Sequence, residues 1–76
     1  MKFESLKDDF ESMTSRIDAA GITPGAIQKL NGILERLEGE AAAAPARYKM
    51  GMLEDVDDYR KQLRGYTAEA AGMGIT

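Results

Sequence analysis

Four acidic residues within five positions, Glu54, Asp55, Asp57 and Asp58, form the densest group of potential ligands in the chain. A calcium loop needs alternating oxygen ligands around a turn glycine. Val56 and Asp58 are out of step with that alternation, Tyr59 follows, and no glycine stands where the turn requires one. The cluster reads instead as a solvated helix start whose charge suits the positive end of the helix dipole. A second set, Tyr48, Tyr59 and Tyr66 with Arg47, Arg60 and Arg64, holds the residue types that stack on nucleic-acid bases. Tyr59 and Tyr66 fall on an apolar helical stripe, however, and are expected to pack in the core or at its rim. Tyr48 is the odd one out and is expected at an exposed interface.

Other chemistry is excluded by what the chain lacks. It has no cysteine and no histidine. A disulfide, a cysteine–histidine zinc site, thiol catalysis and a histidine acid–base step are therefore ruled out. No glycine-rich phosphate loop, nucleophile elbow or catalytic carboxylate pair can be picked out. The expectation is a protein that is not an enzyme and has no cofactor or metal. The formal charge is −3, from 13 acidic and 10 basic residues. Nucleic-acid binding needs a basic stripe. It would require Arg47, Lys49, Arg60, Lys61 and Arg64 to converge in space, and is not favoured.

The clearest local structure lies between Ile22 and Ala44. Thr23 has the side chain of an N-cap, able to accept from the amide of Gly25 or Ala26. Pro24 takes the first helical position, where no hydrogen bond is lost. Ile22 and Ile27 have the spacing of a hydrophobic staple. An apolar stripe follows at Ile27, Leu30, Leu34, Leu37, Ala41 and Ala44, widened by Ile33. Pro45 should stop or sharply kink this helix, because an interior proline costs about 3 kcal/mol.

Before it, Phe3, Leu6, Phe10, Met13 and Ile17 share one face of a helix that begins at about Lys2 or Leu6 and ends at Ala20. If Ser5 caps this helix with Asp8, Phe3 lies outside it. Gly21 is the expected left-handed terminator, with Ile17 and Ile22 touching in a Schellman ending. A connection this short makes the two helices antiparallel neighbours.

Beyond Pro45, the residues to Gly51 carry no clear pattern. A third helix is expected over about Met52 to Ala71, with Met52, Val56, Tyr59, Leu63, Tyr66 and Ala70 on its apolar face and Asp57 paired with Lys61. Gly72 is its expected terminator. An uncharged tail, Gly72-Met73-Gly74-Ile75-Thr76, would then lie along a neighbouring surface.

The fold expected from these stripes is all-α: a helical hairpin plus a third helix, as a small three-helix bundle or an extended assembly subunit in one domain. The chain has no apolar run near the length of a membrane span. Its start, Met1-Lys2-Phe3-Glu4, has charge where a signal peptide would be apolar. A soluble protein of the cytoplasm, or of a particle assembled there, is expected. A core in only 76 residues supplies roughly 3–5 kcal/mol of net stability. Completion by a protein partner or by further copies is the natural remedy.

Gly25, Gly32 and Gly39 recur every seven residues opposite the second stripe. Each costs about 0.8–1.0 kcal/mol relative to alanine. They form either a small-residue ridge for another helix or a set of exposed surface glycines. Gly32, Gly39, Tyr48, Met73 and Ile75 are the candidate partner-binding residues. The expected function is that of a non-catalytic interaction or assembly subunit, such as a component of a phage virion or other multi-subunit particle. The alternative is a small acidic inhibitor or adaptor that binds a host enzyme.

Overall fold

The computed structural model describes residues 2–74 and contains three helices in sequence: α1 over Lys2–Ala20, α2 over Pro24–Ala42 and α3 over Ala46–Gly72. No strand occurs among the described residues. The fold is all-α, a three-helix bundle about one apolar core. Phe3, Phe10 and Ile17 of α1 are buried with Leu30, Leu34, Leu37 and Ala41 of α2 and Val56, Tyr59, Leu63 and Ala70 of α3. All of them belong to the three apolar stripes. Leu6, Met13, Ile27, Ile33, Met52 and Tyr66 pack around them, half-buried.

The α1–α2 corner follows from local chemistry. Gly21 has φ +98°, a conformation that costs a residue with a Cβ. Its amide donates to the Ile17 carbonyl at 2.8 Å. This is the single bond of an αL ending in place of the Schellman pair. Ile22 is nevertheless buried with Ile17. The Thr23 side chain accepts from the Ala26 amide at 3.1 Å, and Pro24 opens α2.

Of three boundaries, the first is one of the two expected and the other two differ from expectation. First, α1 starts at Lys2, so Ser5 is inside the helix and Phe3 is in the core. Burial of the Phe3 ring outweighs what a Ser5–Asp8 cap would contribute. Second, α2 ends at Ala42 and α3 begins at Ala46, not near Met52. Pro45 separates the two helices: its extended backbone (φ −57°, ψ 148°) turns its carbonyl to accept from the amides of Tyr48 and Lys49. Proline cannot continue α2, but it loses nothing at the edge of α3, where no amide is needed. Ala46, Arg47, Lys49 and Met50 are good helix formers and carry the helix through Gly51. Third, Gly72 is the last helical residue, and the left-handed position falls at Gly74, φ +78°. Met73 and Gly74 therefore extend α3 as its closing turn, with amide bonds back to Glu69, Ala70 and Ala71. Ile75 and Thr76 lie outside the described residues.

α2 runs antiparallel to both neighbours, so α1 and α3 are parallel. Lys7 meets Asp55 at 3.2 Å and Tyr66 meets Asp18 at 3.2 Å, both at an offset of 48 residues. Between them the rings of Phe10 and Tyr59 lie 4.5 Å apart. No helix among the described residues is long and apolar enough to cross a membrane.

Candidate interaction surface

The bundle is made of helices of unequal length, and this places the candidate site. α1 and α2 have 19 residues each and α3 has 27. At 1.5 Å per residue α3 is ~40 Å long, against ~28 Å for the others. The offset of 48 sets Lys2 level with Met50. The first turn of α3 thus begins before α1 does.

Tyr48 stands one turn ahead of Met52 on the stripe that faces the core. With no α1 residue level with it, its ring is 52% exposed. It borders a shallow groove lined also by Phe3, Ala44, Pro45 and Met52. Met50 and Leu53 lie three residues apart on the outer face of the same segment. They are 73% and 46% exposed. Scattered exposed apolar residues are ordinary. Three of the four large apolar side chains exposed among the described residues, however, fall between positions 48 and 53. Of these, Met50 and Leu53 share the outer face, while Tyr48 lies on the opposite, inner one.

The charges around this segment are arranged against the helix dipole. The first turn of α3 holds Arg47 and Lys49 and no acid. Cations at a helix N-terminus are disfavoured. The Arg47 guanidinium lies 4.8 Å from the centre of the Tyr48 ring, but no ion pair among the described residues includes Arg47. The acidic cluster comes only in the third and fourth turns, which overturns its reading as a helix start. Two of its members are used within the chain: Asp55 pairs with Lys7 at 3.2 Å, and Asp57 with Lys61 at 3.3 Å. Glu54 and Asp58 are exposed and take part in no ion pair among the described residues. No group among the described residues could hold a metal ion.

Perturbed ionisation follows the packing between helices. The Lys7 ammonium is held above its usual range, chiefly by its hydrogen bond to Asp55. Burial raises the Tyr59 and Tyr66 phenols, with the Tyr66 hydroxyl also donating to Asp18. Arg60 is raised by its contact with Glu38 at 2.8 Å. These groups pin helices together and line no enclosed cavity.

The other candidate residues are dispersed. Gly32 and Gly39 lie exposed on α2, with nothing within 4 Å of where a Cβ would stand. Met73, 64% exposed, is at the opposite end of α3 from Tyr48. Ile75 is outside the described residues. The basic residues also stay apart along α3: Arg47 and Lys49 precede the acidic cluster, Arg60, Lys61 and Arg64 follow it, and Arg60 and Lys61 are already paired with acids. Sequence reasoning passed over Met50 because α3 was expected to start at Met52, and Leu53 because it lies off the apolar stripe of that helix. With Ala46 as the start, both sit plainly on the polar side of the helix, a signal present in the sequence once the boundary is known.

No family model matches the chain, and comparison with curated proteins and with solved structures found no match.

Proposed function

We propose that the chain is a non-catalytic helical interaction subunit, and that the exposed first two turns of α3 are where it meets another protein. The observation that carries this reading is the exposure of Met50 and Leu53 on the outer face of α3, in a segment whose first turn begins before α1 does. Covering the apolar surface they still expose favours a complex. A virion or other multi-subunit particle assembled in the cytoplasm is a setting that suits a chain of this size. The test is a photo-crosslinking residue at Met50, with exposed Gln28 on α2 as control, followed by mass measurement of the adduct from the native source. An adduct at Met50 alone supports the reading, and absence of any adduct at Met50 overturns it.

A second reading, a small acidic inhibitor or adaptor of an enzyme, draws on the exposed and unpaired Glu54 and Asp58. Salt separates the two. Charge-led binding weakens as salt rises, whereas apolar contact does not.

A further inference from the structure

We infer that the partner of this α3 segment is a second copy of the chain, docked antiparallel about a two-fold axis between Met50 and Leu53. The inference rests on the reading of the segment as an interaction surface. It is carried by the distribution of charge on either side of the apolar pair. Arg47 precedes Met50, and Glu54 and Asp58 follow Leu53 on the same flank of the helix, one turn apart. All three are exposed, and no ion pair among the described residues uses them.

An antiparallel pairing sets Met50 against the partner's Leu53. It also brings Arg47 between the partner's Glu54 and the partner's Asp58. The symmetry repeats each contact. It thereby supplies negative charge beside the helix start, which lacks any of its own. The patch spans only two helical turns, so the dimer is weak, with a dissociation constant on the order of 100 µM.

The natural absence of cysteine makes a direct test simple. In purified protein, a mixture of A46C and D57C chains should form a disulfide under mild oxidation, because the antiparallel register brings these positions level. A46C alone should not, as its two copies are then about 17 Å apart along the helices. Cross-linking of A46C with itself would overturn the antiparallel arrangement. By sedimentation, Arg47→Glu should weaken self-association about tenfold, and the double variant Arg47→Glu with Asp58→Arg should recover most of it. Leu53→Glu should abolish it, with circular dichroism confirming the helices are intact. If the unaltered chain stays monomeric at several hundred micromolar while the Met50 probe captures a different protein, the second copy is the wrong occupant and the interaction surface stands. If the chain is monomeric and the probe captures nothing, both readings fall.

Discussion

At the scale of single residues, α1 and α3 meet through a few side chains. Phe10 is fully buried and its ring meets Tyr59 at 4.5 Å. Phe10→Ala removes that ring and leaves a cavity, a change that costs about 3–5 kcal/mol. This is comparable to the whole net stability expected for so short a chain. The expected outcome is loss of most helical signal in circular dichroism at room temperature; a cooperative melt close to that of the parent would count against this core. Tyr59 adds a pH dependence whose sign is fixed. Burial raises its phenol above the usual range, so the folded state holds that proton more tightly than the unfolded chain. The associated stability is complete below about pH 10 and is lost as pH climbs through the folded-state value. Tyr66 and Lys7 shift in the same direction, but both are more accessible and contribute less. An alkaline titration followed by circular dichroism should be flat to about pH 9 and then fall. In Tyr59→Phe the fall should begin at higher pH, and superimposable curves would remove Tyr59 as its cause.

At the scale of elements, the legible parts were those where two independent constraints met in the sequence. The start of α2 is specified by its cap, its proline and its staple, and the structure places Thr23 on the Ala26 amide. Thr23→Ala should lower stability by about 1 kcal/mol, readable as a shift in denaturant midpoint with unchanged slope. The stripes were legible because burial on both neighbours enforces three–four spacing. The start of α3 was not, because no α1 residue is level with its first turn and only Tyr48 continues the stripe there. Of its outer apolar pair, the same boundary hid Met50, whereas Leu53 was within the expected helix but off its stripe. The glycines of α2 were visible as a period but not as a role. Gly32 and Gly39 face open space, so alanine at either should stabilise the chain by about 0.8–1.0 kcal/mol. A thermal melt of the double alanine variant measures this. Stabilisation with unchanged assembly for Gly32→Leu with Gly39→Leu would reduce them to surface glycines, whereas lost assembly in a folded variant would restore the ridge.

At the scale of the whole molecule, the shape sets the terms of stability. The bundle measures 42 × 18 × 15 Å, long and thin. Such a shape exposes much surface for its volume, and a short chain already buries only a modest share of what it exposes when unfolded. Its core is closed by one layer of side chains along the axis, and the end where α3 outruns α1 and α2 has the thinnest cover. Any protein contact made there by the folded chain, and not by the unfolded one, must stabilise the fold by mass action. For a self-associating chain the ligand is the chain itself. The melting temperature should therefore rise with protein concentration, slightly below the dissociation constant and steadily above it. In the isolated chain, scanning calorimetry over a hundredfold range around about 100 µM should show a rise of a few degrees for the parent. Leu53→Glu should show none, its melting temperature matching the dilute limit of the parent. A parent whose melting temperature is independent of concentration over that range, and equal to that of Leu53→Glu, would mean that three helices of this length sustain the fold unaided. The exposed turns of α3 would then contribute nothing through self-contact.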